Sequence, residues 1–397
     1  MLSPIEIKPG IWWVGGLDWN ERLFHGYTTE MGITYNAYLI IDEKITLIDT
    51  TKKNFSSALL DRISRLVDPE KIDYVIANHV EMDHSGSLPE VMKVAPHATI
   101  VASDPQGLKG LRAHYGDTYN YLGVKSGDVL SIGKRKLNFI QTPMVHWPDN
   151  MVTYCPEDKI LFSNDSFGQH ITTSGRFDTD NDICQIMAQA KKYYANIVQP
   201  YAMQAAQALK AVKQLDLDMI APSHGVIWTQ YIDKILEEYE RWTANIRTSK
   251  AVIIYDSMWG STAQMARAIM SGFIDANVEC HLYDVKQNHP SDIMCEFLDA
   301  RYVCVGSSTQ NSQMLATVAG FLTYMRGLSP RNENRIGLAF GSYGWAPMAQ
   351  INIENQLKEA KFQMPFPKQT YNWVPSTKYL EDLKMQMVKL IHDVEEA

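Results

Sequence analysis

The sequence HVEMDH at residues 79–84 constrains this chain more than any other segment. Four of its six side chains can bind a metal ion. The apolar residues 72–77 just before it predict a buried strand, and SLPE at residues 87–90 has the pattern of a capping box with Ser87 as the helix N-cap. We therefore expect residues 78–86 to form a strand-to-helix loop that carries the metal-binding side chains.

The spacing of these side chains indicates which metals they suit. In an extended loop His79, Glu81 and Asp83 point to the same side, and a turn at residues 85–86 is then needed to bring in His84. Imidazole suits zinc, copper, iron and nickel, whereas two neighbouring carboxylates add the hard oxygen donors of a redox-active iron pair. A closed structural zinc site is disfavoured because such sites usually include cysteine. The alternative is a solvated surface loop without metal.

Composition excludes several other classes of protein. The 397 residues suffice for two or three domains, and 45% hydrophobic with 21% charged residues is ordinary for a globular protein. A net charge of -8 without a Lys/Arg run argues against nucleic-acid binding. No secretory signal or membrane-length apolar stretch is visible, so we expect a soluble, cytoplasmic protein with no membrane partner. Five scattered cysteines without a C-x-x-C pair argue against disulfides and against an attached iron–sulfur or rubredoxin module.

Short strands dominate the first 249 residues. Apolar or alternating segments predict strands at residues 10–15, 35–41, 44–49, 99–102 and 137–143, with a helix at residues 55–66. Asp49 closes the third of these strands. It can orient a ligand histidine from behind, or it can be a helix cap or turn former, and the sequence leaves both open.

Three further strand ends carry side chains of the same kind. His146 follows KLNFIQTP, Asp165 follows KILFSN, and His224 follows LDMIAPS, while His170 comes five residues after Asp165. A single histidine in such a place is usually a hydrogen-bonded structural residue. Together these strand ends are what a metal site on the rim of a β-rich scaffold requires, because their side chains can converge without distorting the core.

The whole set resembles the metallo-β-lactamase fold, whose usual signature is His-x-His-x-Asp-His, with Glu81 in place of the second histidine. The glutamate at position 81, together with the segments HWPDNM, LFSNDSFGQH and PSHG, resembles the pattern of the flavodiiron proteins, also called A-type flavoproteins. The resemblance implies an α/β protein whose N-terminal domain is a metallo-β-lactamase-like αββα sandwich holding two non-haem iron ions. It also implies the ligands: His79, Glu81 and His146 for one iron, Asp83, His84 and His224 for the other, and Asp165 as the bridge.

The chemistry of the residues agrees with this resemblance. Two neighbouring irons can each supply an electron to O2 or to a pair of NO molecules, whereas zinc cannot change its oxidation state. His170 can be a proton donor near the bound gas or merely a hydrogen-bonded loop residue. Tyr193 and Tyr194 carry the same two alternatives.

A second domain is expected at residues 250–397, after a first domain at residues 1–249 and a polar linker helix that ends near Thr248. Residues 251–255 predict a buried strand, DSMWGST follows as a loop, and an amphipathic helix is expected at residues 263–277. Such a loop before a helix N-terminus can bind phosphate through its N–H groups and hydroxyls, although similar loops also serve as plain turns. It is not a Walker A loop, because it lacks Gly-Lys-Ser/Thr.

Two more strands, at residues 301–306 and 335–340, lead into SSTQNS and GSYGWAPM. Strands alternating with helices predict a doubly wound parallel sheet that binds its ligand at the carboxyl ends of the strands. This half of the chain resembles flavodoxin, which binds FMN. The resemblance implies that the phosphate end is held by Ser257, Met258, Trp259, Gly260, Ser261 and Thr262. It implies that the isoalloxazine ring is flanked by Ser308, Thr309, Gln310, Asn311, Ser342, Tyr343, Gly344 and Trp345.

The family resemblance also implies the activity. FMN takes electrons from a separate rubredoxin or a reduced deazaflavin and passes them to the diiron centre, which reduces O2 to water or NO to nitrous oxide. Relatives work as head-to-tail homodimers or as dimers of dimers. Two other classes stay open: a zinc-dependent hydrolase with a flavin domain, against which Glu81 argues, and a non-catalytic electron-transfer or gas-sensing protein. The sequence does not decide between O2 and NO.

Overall fold

A computed structural model describes residues 2–396, which form two compact units. The first unit contains the chain up to Tyr194 together with Tyr201–Ala244, and the second contains Ala195–Pro200 and the chain from Asn245 onwards. The domain boundary between residues 249 and 250 stays a prediction, and the strand Thr248–Asp256 runs across that position.

The first unit combines two sheets with helices. Its strands are β1 (Ile5–Lys8), β2 (Ile11–Trp13), β3 (Gly16–Asp18), β4 (Leu23–Phe24), β5 (Tyr27–Thr28), β6 (Ile33–Tyr35), β7 (Tyr38–Ile40), β8 (Ile45–Ile48), β9 (Ile72–Ala77), β10 (Thr99–Ser103), β11 (Asn120–Val124), β12 (Val129–Ser131), β13 (Lys136–Gln141), β14 (Met151–Cys155), β15 (Ile160–Asn164) and β16 (Met219–Pro222). Its α-helices are α1 (Ser56–Ser64), α2 (Met82–Ser85), α3 (Leu88–Val94), α4 (Gln106–Tyr115), α5 (Ile183–Tyr193), α6 (Ala202–Val212) and α7 (Ile232–Thr243).

The two sheets have mixed strand directions. The seven-stranded sheet has the order β1-β2-β7-β8-β9-β10-β11, antiparallel up to β8 and parallel from β8 to β11. The five-stranded sheet runs from β12 to β16, and only its last pair, β15 and β16, is parallel. Strands β9, β15 and β16 carry the predicted ligands just past their carboxyl ends.

The faces of the two sheets that meet form the main core of this unit. Ile76 and Val101 of the first sheet belong to one buried cluster with Phe139 and Phe162 of the second. The other face of the first sheet packs on helices α1 and α3, in a cluster that includes Val75. This is the αββα sandwich that the resemblance implies, and burial of both faces fixes the strand register.

The loop predicted over residues 78–86 is wrong in one part, because Met82–Ser85 forms the short helix α2. Ser87 is the N-cap residue of helix α3, as predicted, but the capping box is wrong because the Ser87 side chain makes no cap hydrogen bond. The Ser87 hydroxyl makes no cap and instead lies 2.8 Å from Thr51 Oγ1 and 2.9 Å from Ser56 Oγ. Two buried hydroxyls from another segment therefore replace the expected N–H partner.

The second unit is a doubly wound parallel sheet, as predicted. Its strands are β17 (Thr248–Asp256), β18 (Glu279–Asp284), β19 (Ala300–Ser307), β20 (Thr309–Gln310), β21 (Gln313–Met314), β22 (Ile336–Tyr343) and β23 (Gln369–Asn372). Its helices are α8 (Ser261–Asp275), α9 (Pro290–Phe297), α10 (Ala316–Leu328), α11 (Met348–Glu359) and α12 (Thr377–Glu395). The order of the main sheet is β18-β17-β19-β22-β23, with all four pairs parallel.

Helices cover both faces of that sheet. One buried cluster joins it to α8 and α12, and the other joins it to α9, α10 and α11. Local boundaries differ by a few residues from the predicted ones: helix α7 ends at Thr243 rather than near Thr248, and α8 begins at Ser261. Within residues 2–396, no helix has the length and hydrophobicity needed to cross a lipid bilayer.

Candidate metal centre and phosphate-binding loop

The side chains predicted to bind metal converge in the first unit. They come from the segments that follow β9, β15 and β16, from helix α2, and from the loop between β13 and β14. They form two groups whose donor atoms lie close enough to hold a metal ion: His79, Glu81, His146 and Asp165, and beside them Asp83, His84 and His224.

In the first group two imidazoles face one carboxylate. Glu81 Oε2 lies 3.3 Å from His79 Nε2 and 3.2 Å from His146 Nε2. Asp165 Oδ2 completes the group, 3.7 Å from His79 Nε2 and 3.4 Å from His146 Nε2. Two nitrogens and two carboxylate oxygens therefore surround one point.

The second group uses the other oxygen of Asp165. Asp165 Oδ1 lies 3.0 Å from His84 Nε2 and 3.5 Å from His224 Nε2. Asp83 provides both of its oxygens, with Oδ1 at 3.4 Å from His84 Nε2 and Oδ2 at 3.2 Å from His224 Nε2. One carboxylate thus serves both groups, with a different oxygen turned toward each.

These atoms are arranged as metal ligands rather than as hydrogen-bonded pairs. Asp165 is buried and neither of its oxygens makes a hydrogen bond of ordinary geometry, and the same holds for His84 Nε2 and Asp83 Oδ1. Ligands about 2.1 Å from a metal ion are roughly 3.0–3.4 Å from one another in tetrahedral or octahedral shells. The separations within both groups are close to this range, so the residues fit two cations with Asp165 between them.

The expected direction of Asp83 is wrong. Alternation along an extended loop predicted Asp83 on the same side as His79 and Glu81. Because Asp83 and His84 lie in the helical turn α2, they instead face His224. The helical turn splits one short motif between two metal positions.

Further polar groups orient two of the predicted ligand histidines. His79 Nδ1 lies 2.8 Å from Asp149 Oδ2, which also accepts the N–H of Val80 at 2.8 Å. His224 Nδ1 lies 2.7 Å from the carbonyl oxygen of Thr34. These contacts leave Nε2 of both rings for the metal. Sequence reasoning missed Asp149, although it lies within the same HWPDN motif as His146.

Asp49 supports the site from behind, as in the first of the two alternatives, but it bonds the residues that precede the predicted ligands rather than a histidine. It is buried and accepts the N–H of Asn78 at 2.8 Å and its side-chain amide at 3.0 Å. It also accepts the amide of Asn164 at 3.3 Å and the hydroxyl of Ser223 at 3.4 Å. Each of these partners directly precedes a predicted ligand. Asp49 therefore ties together the three strand ends that present His79, Asp165 and His224.

The close contacts shift the pKa values of the site in opposite directions. Burial opposes charge on His79, but hydrogen bonds with Asp149 and Glu81 raise its pKa to about 10. Burial likewise opposes charge on His146 and His84, yet neighbouring carboxylates raise their pKa values to about 10 and about 9. The histidines in turn hold the pKa of Asp165 well below its usual range, despite its burial.

His170 lies beside the second group but does not share its geometry. Its ring is buried, and its centroid is 5.0 Å from that of His224 and 4.9 Å from that of Tyr193. Both ring nitrogens lack a hydrogen-bond partner, and burial with the neighbouring His224 lowers its pKa well below the usual value. The catalytic role of His170 stays a prediction. Tyr194 packs instead on Tyr239 and Trp242.

A cavity of about 770 Å³ opens onto Glu81 and Asp83. The apolar side chains Phe24, Met82 and Trp147 form much of its wall. At its mouth the exposed His25 places Nε2 3.2 Å from Glu81 Oε1, the carboxylate oxygen that faces away from His79. The first metal group is thus reachable from solvent, while its ligands remain largely buried.

In the second unit, the predicted phosphate loop joins β17 to α8. Gly260 has φ +90°, a left-handed conformation that favours glycine, and its N–H donates to Ser257 Oγ at 3.0 Å. Met258 is half-exposed and Trp259 is 92% exposed. The N-terminus of the long helix α8 follows directly, so the loop has the geometry of an anion site.

The three predicted FMN loops meet at Thr262. Its buried hydroxyl lies 3.1 Å from Ser308 Oγ and 3.3 Å from Ser342 Oγ. Behind them the buried Gln350 donates its side-chain amide to the carbonyl of Ser307 at 2.6 Å. Gln350 was not predicted, because nothing in a helical glutamine distinguishes it from a surface residue.

Aromatic side chains form an exposed rim around these loops. Trp345 is 79% exposed, and Trp373, which sequence reasoning missed, is 65% exposed. The backbone N–H of Trp373 donates to the carbonyl oxygen of Tyr343 at 2.8 Å, and the Trp373 ring lies against Gly344. A fourth segment of the chain therefore borders the site beside the predicted third loop.

Comparisons with known proteins agree with the two units. Residues 33–225 match the family described as ODP family beta lactamase, and residues 253–385 match flavodoxin. The nitric oxide reductase of Moorella thermoacetica is 44% identical, covering 94% of this chain and 95% of that relative. The rubredoxin-oxygen oxidoreductase of Megalodesulfovibrio gigas is 40% identical, covering 96% of each. The crystal structure of the flavodiiron protein from Giardia intestinalis has a TM-score of 0.95 at 34% identity, covering 100% of this chain and 98% of that one.

Fold and sites thus define a protein with a β-lactamase-like metal domain and a flavodoxin domain. The identity over nearly the whole length makes the assignment specific. This chain belongs to the flavodiiron protein family.

We predict that Asp49→Asn weakens metal binding about tenfold or more. Both oxygens of Asp49 accept hydrogen bonds, and in the variant the side-chain NH2 group would face one set of these donors instead of an oxygen. Metal retained after dialysis against a chelator measures this. Asp42→Asn is the matched control: Asp42 accepts backbone N–H groups of residues 43, 134 and 135 at the turn between β7 and β8. Equal metal loss in both variants would show that Asp49 acts only through general stability.

We also predict that zinc, used as a redox-silent probe, releases about three protons on binding to the chelated protein at pH 7, because His79, His84 and His146 must lose theirs. The pKa values of these histidines are about 9 to 10, so the rings are protonated at lower pH. Metal affinity should therefore rise with pH until the pH exceeds about 10. Calorimetry in buffers of different ionisation enthalpy counts the protons. His146→Ala should release about one fewer, and binding without proton release would contradict the pairing described above.

Proposed function

We propose that this protein is a flavodiiron reductase that converts O2 to water, NO to nitrous oxide, or both. The observation that carries the proposal is Asp165, whose two oxygens face two separate histidine-containing groups. A carboxylate in this position would hold two metal ions as neighbours, and two redox-active ions would together supply several electrons to a diatomic gas. The names of the relatives, a nitric oxide reductase and a rubredoxin-oxygen oxidoreductase, support it.

The proposed ligands are the seven residues of the two groups. Two iron ions held by them would supply electrons to the gas. The side chains have separate tasks: Asp149 and the Thr34 carbonyl keep Nε2 of His79 and His224 free for metal, and Asp165 holds both positions together. Phe24, Met82 and Trp147 give the cavity an apolar surface that a small uncharged gas can occupy, and Lys52 and Lys53 line the same cavity.

The zinc hydrolase is not favoured. Glu81 occupies the position of a histidine in the hydrolase signature, and the relatives above are named as reductases. A non-catalytic electron carrier or gas sensor is less well supported, because relatives similar to this chain over nearly its whole length are named as enzymes.

We propose that FMN binds in the second unit, with its phosphate at residues 257–262 and its ring beside residues 308–311 and 342–345. The left-handed Gly260, the N-terminus of α8 and the exposed Trp345 support this placement. The family match to flavodoxin supports it independently. Rubredoxin is the proposed donor, since the relative from M. gigas is named for it, and a reduced deazaflavin is the alternative.

We predict that the protein purified from iron-supplemented cells holds about two irons and one FMN per chain. It should consume O2, or NO supplied in the absence of O2, with chemically reduced rubredoxin or deazaflavin as donor. Asp165→Asn should slow gas consumption more than about a hundredfold and lose iron, because one carboxylate serves both positions. Its FMN content should not change. Iron analysis, flavin absorbance and gas electrodes measure these quantities.

The control is Asp178→Asn, which removes a buried carboxylate of the same unit that lies in neither group. Asp178 accepts the N–H groups of Thr229 and Tyr231 at 2.9 and 2.8 Å. This variant should lose stability but keep its irons and its rate once folded. Zinc in place of iron, with no gas consumption even after iron reconstitution, would refute the reductase.

We further propose a head-to-tail homodimer, alone or paired into a dimer of dimers, in which the FMN of one copy serves the metal centre of the other. In the first unit, Met82 and Trp147 leave an exposed apolar mouth around Glu81. In the second unit, Trp259 and Trp345 expose large apolar surfaces at the flavin loops. Such surfaces are usual where a partner binds.

We predict that two inactive variants complement each other. Gly260→Asp blocks the phosphate site of one copy, and Asp165→Ala removes the metal bridge of the other. Co-expressed, they should recover about a quarter of the parental rate, because half of the dimers are mixed and each mixed dimer has one intact pair. No recovery, with mixed dimers demonstrated by tagged purification, would mean that electrons stay within one chain.

A further inference from the structure

The phosphate loop contains no basic residue, yet it begins next to a buried acid. Residues 257–262 are Ser, Met, Trp, Gly, Ser and Thr. Asp256, the last residue of β17, is only 5% exposed, and its Oδ2 accepts the Thr317 hydroxyl at 2.5 Å. An ionised carboxylate in this place opposes the binding of an anion to the adjoining loop.

Lys286 compensates this carboxylate. Its Nζ lies 2.7 Å from Asp256 Oδ1 and donates to the carbonyl oxygen of Ser257 at 2.9 Å. Lys286 comes from the segment after β18, where its backbone N–H is held by Asp284 Oδ1 at 2.9 Å. One ammonium group therefore pairs with the acid and also holds the first peptide of the phosphate loop.

The charges around the Lys286–Asp256 pair indicate its function. The ammonium group of Lys286 pairs with the Asp256 carboxylate, and Asp284 accepts the backbone N–H of the same lysine. A phosphate that bears two negative charges is repelled by a bare Asp256 far more than a neutral ligand is. The loop's own N–H groups and hydroxyls favour the phosphorylated flavin, and an uncompensated Asp256 would oppose that preference.

We propose that Lys286 is a positioning residue that makes the loop selective for a phosphorylated flavin over the unphosphorylated one. It neutralises Asp256 and turns the Ser257 carbonyl away from the anion, so that the N–H groups of the loop face the phosphate. The inference rests on the proposed binding of FMN. It adds a residue outside the three cofactor loops and names what that residue discriminates.

We predict that Lys286→Met weakens FMN binding to the full-length apo-protein about tenfold, while riboflavin affinity changes less than about twofold. Lys286→Arg should keep FMN affinity. Asp256→Asn/Lys286→Met should recover it to within about threefold, because the repelling charge is gone as well. Quenching of flavin fluorescence gives both dissociation constants, and circular dichroism checks the fold of each variant.

Three results would overturn the inference. Equal weakening of FMN and riboflavin would mean that Lys286 only shapes the loop, and unchanged FMN affinity would mean that its charge is irrelevant. If Lys286→Met does not fold, the double variant Asp256→Asn/Lys286→Met is the test. Charge compensation is refuted if this double variant loses FMN affinity but keeps its riboflavin affinity. A parent protein that binds neither flavin would instead refute the proposed FMN function.

Discussion

The first unit depends on the pairing of charges that its fold buries. Glu81, Asp83 and Asp165 lie with four histidines inside the protein, and an unpaired buried carboxylate would cost several kcal/mol. Each lies within ion-pair distance of an imidazole from a distant segment: Glu81 of His146, Asp83 of His224, and Asp165 of His84. Because these groups come from both sheets and from the segments between them, only the complete sandwich can pair them. Folding of the unit and assembly of the metal centre are therefore one requirement.

The sequence predicted the site best where a metal-binding side chain directly follows an apolar segment. His79, Asp165 and His224 all come just past buried strands, and strand ends on one edge of a sandwich must converge. The composition of the set also separated redox metals from structural zinc. The direction of Asp83 could not be predicted in this way. It depends on the backbone dihedrals of residues 82–85, which form a helical turn that alternation does not reveal.

Other parts of the site lie beyond such patterns because they depend on contacts distant in sequence. Asp149 supports His79 across 70 residues, and Asp49 reaches Ser223 across 174. A repeated pattern in the sequence indicates a shared partner such as Asp49. Each of the three predicted strand-end ligands is directly preceded by a small polar residue: Asn78, Asn164 or Ser223. In the second unit the three loops were located from strand ends, whereas Trp373 required the packing of a fourth segment on Gly344.

The contacts of Asp49 have a consequence for how this family can change during evolution. One carboxylate collects donors from three strands, so the residue suited to position 49 depends on the residues at 78, 164 and 223 together. Substitutions at these four positions should be strongly non-additive, since each alters the hydrogen bonding of the others. Sequences that abandon the acid at position 49 must replace its partners in concert. The four residues behind the predicted metal centre therefore constrain one another as a set.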